Sequence, residues 1–155
     1  MFALSKPTTA IAIALGTPYT IASNLNDTLV WLFNGASEGT PNAIHLVPLP
    51  PTVSSTWILT STSDGGWTIS EGPVDCVAAP ADSLLTTNTC ENAAGTDIDF
   101  AISCATCTGN EATGCTLIAA STNDCVTVPS ASDPNDQVRT LECTGTAEEL
   151  WDFFN

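Results

Sequence analysis

Three stretches of the chain repeat the same anchor residues at nearly the same distance, and that periodicity restricts the fold more than any other feature. Ile21 is followed seven residues later by Thr28, with Asp27 just before it. Ile69 is followed at the same offset by Cys76, after Asp75, and Ile118 by Cys125, after Asp124. The steps from Ile21 to Ile69 and from Ile69 to Ile118 are 48 and 49 residues. A second anchor set closes each unit: Leu49 to Trp57, Cys90 to Ile98 and Cys143 to Trp151 are each eight apart. A fixed period of this size means copies of one supersecondary unit, each too small to bury its apolar face alone.

Each unit reads as short strands. Segments such as 19–21, 29–33, 57–60, 67–69, 98–102, 115–118, 125–128 and 138–141 are apolar or β-branched and are separated by Gly, Pro, Asn, Asp or Ser. Trp57-Ile58-Leu59, Ile98-Asp99-Phe100 and Trp151-Asp152-Phe153 share an apolar-x-apolar pattern that puts two side chains on one strand face. Helix signals are nearly absent. The stretch from Ala147 to Phe154 allows a helical turn or a last strand, and the repeat favours the strand. Evenly spaced short strands with turn signals predict an all-β barrel or sandwich. At 155 residues and 43% apolar, one domain with a sizeable core is expected over residues 17–155.

Charge narrows the partners. Lys6 and Arg139 face 17 carboxylates, for a formal net charge of −15. Such a surface repels phosphate, so nucleic acid and anionic membrane surfaces are poor partners, and no nucleic-acid partner is expected. No stretch approaches the roughly 20 apolar residues that span a bilayer. Residues 1–16 leave two readings, a signal peptide ending near Ala12-Ile13-Ala14 or an N-terminal extension.

All seven cysteines (Cys76, Cys90, Cys104, Cys107, Cys115, Cys125 and Cys143) lie in the second half of the chain. With little Lys and much Thr and Ser, they predict a secreted, disulfide-stapled domain. The odd count leaves one sulfur over. Cys104, Cys107 and Cys115 fall on one expected hairpin with its turn at Thr108 to Gly114, which makes Cys107–Cys115 the preferred pair and Cys104–Cys115 its competitor.

The three units resemble those of the ricin B-type β-trefoil lectins, over about residues 17 to 154. The likeness is clearest in Cys125-Val126-Thr127-Val128, in Asp136-Gln137-Val138-Arg139-Thr140-Leu141-Glu142-Cys143 and in Glu149-Leu150-Trp151. The resemblance implies a β-trefoil: a six-stranded barrel capped by three hairpins around a pseudo-threefold axis. It also implies disulfides within a repeat, Cys76–Cys90 and Cys125–Cys143, each contributing about 3 kcal/mol in the chain-entropy model. The first repeat has Thr28 and Leu49 at those places and must rely on packing.

The same resemblance implies a shallow sugar pocket in each repeat. It is built from an Asp two residues after the first Cys, an aromatic two before the second, and the Gln of Gln-x-Trp. The Asp place holds Val30, Ala78 and Thr127; the aromatic place holds Val47, Asn88 and Leu141; the Gln place holds Ser55, Thr96 and Glu149. No repeat keeps the set. Losing a charge-assisted hydrogen bond costs about 1.5–3 kcal/mol, a large part of a millimolar affinity. The third repeat is the remaining candidate, through Thr127, Asp136, Arg139 and Glu149, with sugar binding by exposed Tyr19, Trp31 or Trp67 as a further option. Trp57 and Trp151 are expected in the core.

Other constellations have plainer readings. Cys104-Ala105-Thr106-Cys107 has redox or zinc spacing but no helix start to support either use. His45 is the sole histidine, no Gly-x-Ser-x-Gly surrounds any serine, and Asp97 with Asp99 fits an exposed strand face. Asp133-Pro134-Asn135-Asp136 reads as a turn rather than a Ca²⁺ loop. Neither a metal, a cofactor nor catalysis is therefore expected. Asn26-Asp27-Thr28 is an N-glycosylation sequon. The functional expectation is a secreted lectin-like module with altered or lost sugar pockets, binding a glycan. The alternative is a protein-binding module, such as a protease inhibitor or secreted effector, acting on an extracellular protein through its loops, the Pro48–Pro51 loop among them.

Overall fold

The computed structural model describes residues 16–33, 42–49, 56–80, 84–90, 98–108, 110–129 and 137–155. Several expectations fall outside these: the signal peptide or extension, the 133–136 turn with Asp136, Pro50 and Pro51 of the Pro48–Pro51 loop, Ser55 and Thr96 at the Gln place, and Asp97.

Twelve strands follow in order: β1 (Pro18–Ser23), β2 (Asn26–Phe33), β3 (Asn42–Pro48), β4 (Trp57–Ser61), β5 (Trp67–Glu71), β6 (Asp75–Ala78), β7 (Thr86–Thr89), β8 (Phe100–Thr108), β9 (Glu111–Ala119), β10 (Cys125–Thr127), β11 (Arg139–Leu141) and β12 (Leu150–Phe154). A single 3-10 turn, Ala147–Glu149, leads into β12, so both readings of the last segment hold in sequence. Antiparallel pairing runs β1–β4, β4–β5, β5–β8, β8–β9, β9–β12 and back to β1. These six strands close a barrel, which removes its edges. The other six form three hairpins, β2–β3, β6–β7 and β10–β11. The architecture is a β-trefoil, one lobe per sequence repeat.

The pseudo-threefold axis is written into backbone hydrogen bonds. The Ile44 N–H donates to Leu85 O at 2.9 Å, the Leu85 N–H to Val138 O at 2.8 Å, and the Val138 N–H back to Ile44 O at 2.9 Å. All three residues have no exposed surface. Each stands five residues before the closing anchor of its unit: Leu49, Cys90 or Cys143. The equivalence read from spacing is thus a physical one.

Alternation explains the core. Ile21, Ile69, Trp57, Leu59, Phe100, Leu117, Trp151 and Phe153 all turn inward. The third anchor is corrected by one residue: Ile118 is half-buried and pairs with Cys125, as Ser70 rather than Ile69 pairs with Cys76, so Leu117 fills the inward place. The hairpins fill the axis unequally. Trp31 stands three residues after Thr28, where the other lobes have Ala79 and Val128, and all three are buried. The Trp31 ring meets Trp57 at 5.8 Å and Trp151 at 5.2 Å, both edge to face. Such pairs contribute about 0.5–1.5 kcal/mol beyond the area they bury. Trp151 also donates its indole N–H to Val126 O at 2.9 Å.

Disulfides join Cys76 to Cys90 and Cys125 to Cys143, across the cap hairpins of lobes two and three. The preferred Cys107–Cys115 pair is corrected: Cys104 bonds Cys115, and Cys107 is the free thiol, half-buried against the core. The cause is register. Thr108 pairs with Glu111, so the strands reverse within two residues rather than over Thr108 to Gly114. Cys104 then faces Cys115, and Cys107 faces Ala112.

Two placements near the core also differ from expectation. Tyr19 and Trp31 are buried, at 2% and 1% exposure, and Trp67 is half-buried. None is an exposed sugar platform. In lobe two Phe100 faces Trp67 as Trp57 faces Tyr19, so β8 begins two residues later than the Ile98 offset implied.

Candidate functional site

Of the third-lobe residues expected at a sugar pocket, Thr127 and Glu149 are turned to internal use, and Asp136 lies outside the described residues. Thr127 on β10 pairs with Arg139 on β11. Its side chain is 6% exposed, and its hydroxyl donates to Glu148 O at 3.1 Å. The two equivalent positions, Val30 and Ala78, are buried as well, so this place faces inward in every lobe. Leu141 and Asn88, at the aromatic place, are exposed but offer no ring. The Arg139 Nε is buried without a hydrogen bond among the described residues.

Glu149 is a brace for the loop before β12. Its carboxylate accepts from the Thr144 N–H at 2.6 Å, the Thr144 hydroxyl at 2.7 Å and the Gly145 N–H at 2.9 Å. Burial pushes its carboxyl up, but these three donors together outweigh burial and hold it below the ordinary glutamate value. A carboxylate committed to three protein donors has little capacity left for a sugar hydroxyl.

The other singled-out residues have structural surroundings of their own. His45 is half-buried on β3 and bridges to Gln137. Asp99 is half-buried, and its backbone carbonyl accepts from the Ala120 N–H; Asp97 lies outside the described residues.

A groove of about 410 Å³ opens between lobes one and three, a volume within the range of ligand sites. Its walls include Asp27, Leu49, Glu111, Thr113, Asp152 and Phe154. The folding of distant strands brings them together. Phe154 ends β12 opposite Glu111 at the start of β9 and Thr20 on β1. The Leu49 N–H donates to Thr28 O at 2.8 Å, which draws Leu49 beside Asp27. Asp152 is fixed by Asn24 Nδ2 at 2.9 and 3.1 Å and by the Gly114 N–H at 2.8 Å. Asp27 and Glu111 are exposed; Leu49 keeps 40% of its surface in solvent. The groove therefore combines two exposed carboxylates and one fixed carboxylate with two apolar walls. No sequence motif pointed to it, because its members come from the two ends of the chain; only the acidic balance hinted at its charge.

No family model matches the chain, and no curated protein does. Solved structures do match. A proteinase inhibitor from Coprinopsis cinerea is 20% identical, with TM-score 0.65, covering 89% of this chain and 96% of that one. A designed 3-fold symmetric protein, ThreeFoil, is 12% identical with TM-score 0.64, covering 89% and 98%. The C-half of an earthworm R-type lectin, solved in complex with GalNAc, is 14% identical with TM-score 0.59, covering 88% and 97%. One trefoil frame thus carries an inhibitor, a lectin and a design, and at these identities the likeness establishes the frame and nothing finer: the chain is a β-trefoil protein.

Proposed function

We propose that the protein is a secreted, non-catalytic recognition module that binds a protein partner through the groove between lobes one and three. The groove's composition carries the reading. A Lys or Arg side chain can lay its aliphatic stem along Phe154 and Leu49 while its charged end meets Asp27 and Glu111. A net charge of −15 steers basic partners toward such a surface. Three disulfides fit folding in an oxidising compartment. The likeness to a proteinase inhibitor supports a protein-directed role.

Titration against basic and neutral peptides of equal length tests it. Binding should favour the basic peptides, weaken with salt, and fall about tenfold or more in the Asp27→Asn, Glu111→Gln double variant. Equal affinity of wild type and variant would remove the groove from the function.

The second reading is carbohydrate binding of the ricin B type, favoured by the likeness to the GalNAc-bound lectin. Against it stand the inward-facing Val30, Ala78 and Thr127 and the engaged Glu149. A glycan array read with the same double variant separates the two. Glycan binding that survives the double substitution would favour a sugar site away from the groove.

A further inference from the structure

The position that ties lobes two and three covalently is chemically different in lobe one. Cys76 and Cys125 stand there in the later lobes, both spent in disulfides. Lobe one has Thr28, preceded by Asn26-Asp27, and lobe three preserves the same run as Asn123-Asp124-Cys125. Asn26-Asp27-Thr28 is the one Asn-x-Ser/Thr sequence in the chain.

Its geometry suits modification. Asn26 opens β2 just after the turn at residues 24–25 and is half-exposed, with Asp27 and Thr28 exposed. The Asn26 Oδ1 accepts from the Thr28 hydroxyl at 2.6 Å and from the Thr28 N–H at 3.1 Å. Both bonds engage the carboxamide oxygen. The nitrogen takes no part in either, and the local turn is made without it. A substituent on that nitrogen therefore displaces none of these contacts and leaves the core untouched.

We infer that Asn26 accepts an N-linked glycan when the chain passes through the secretory lumen of a eukaryotic cell. The co-reactant is a polyprenyl-pyrophosphate-linked oligosaccharide, brought by the cell's transferase. The Asn26 Nδ2 attacks the anomeric carbon of the first sugar. A C–N bond forms as the anomeric C–O bond breaks, and the pyrophosphate leaves with that bond's electron pair. One amide proton passes to a base of the transferase, so Asn26 retains a single N–H. The glycan lies beside Asp27, at the rim of the groove, and covers the edge of the lobe that has no disulfide. This assignment stands whether or not the groove binds a partner.

Translation of the full chain behind a cleavable secretion leader, into rough microsomes, tests it. The lumen-protected chain should run with a mobility shift that an N-glycan amidase removes, and the released peptide should carry aspartate in place of Asn26. Asn26→Gln and Thr28→Val should abolish the whole shift, and Thr28→Ser should keep it. Lumen-protected wild type without a shift, or a shift that survives Asn26→Gln or Thr28→Val, overturns the assignment. The readout is taken on the translocated chain, so a variant that folds poorly still reports.

Discussion

Lobes one and three solve the same problem, holding a cap hairpin onto the barrel, by different means. Lobe three uses a covalent tie, Cys125–Cys143, and a charged brace, Glu149 under the 144–145 loop. Lobe one contains no cysteine, and it places the indole of Trp31 against Trp57 and Trp151. A disulfide acts mainly by restricting the unfolded chain, whereas a buried indole acts by what it displaces from water. A symmetric frame thus tolerates asymmetric fastening, provided each hairpin has one strong anchor.

The sharpest break of this comparison is Trp31→Ala. It leaves a void bordered by two other indoles, so a loss of about 3–5 kcal/mol in unfolding free energy is expected from denaturant titration. A loss below about 1 kcal/mol would show that lobe one is held otherwise. Replacing Cys125 and Cys143 together by Ala should cost about 3 kcal/mol, given a sequence separation of 18, measured the same way under oxidising conditions. If it cost far more than the tryptophan change, packing would not be the equal of covalent tying.

Glu149→Gln should cost about 1.5–3 kcal/mol at neutral pH, since it weakens charge-assisted hydrogen bonds at a buried site. The pH dependence has a definite sign. The folded-state carboxyl titrates below the ordinary value of 4.5, so its contribution is fully present above that pH. It fades as pH falls through the lowered folded value. The gap between wild type and variant should therefore be constant near neutrality and close in acid; a gap that widens in acid would refute the brace.

The repeat was legible where its anchors are side chains that face one core, and it slips where they are not: Ile118 is half-buried, and Leu117 takes the inward place. Ile21, Ile69 and the Ile44–Leu85–Val138 set obey the spacing because each lobe packs on the same axis. The hairpin carrying Cys104 was misread because turn length sets register, and a short turn brings Cys104 rather than Cys107 opposite Cys115. The Gly109-Asn110 pair was the available signal for a two-residue reversal. Tyr19 and Trp31 were assigned to the surface because an aromatic in a strand reads alike on either face until the neighbouring lobes are placed. Thr127 and Glu149 both lie in lobe three, but whether a polar group serves a ligand or its own chain depends on donors such as Thr144, which no motif announces. The groove draws Asp27 and Asp152 to one opening, a gathering that barrel closure produces.

The circuit of Ile44, Leu85 and Val138 has a consequence for how such a molecule can be shortened or lengthened. Every member both gives and takes one bond, so the circuit has no beginning at which a copy could be removed. Deleting a unit would strand one amide and one carbonyl in an apolar interior, and inserting a fourth would leave no partner within reach of the newcomer. The number of lobes is therefore enforced by the main chain itself, while side chains remain at liberty to diverge.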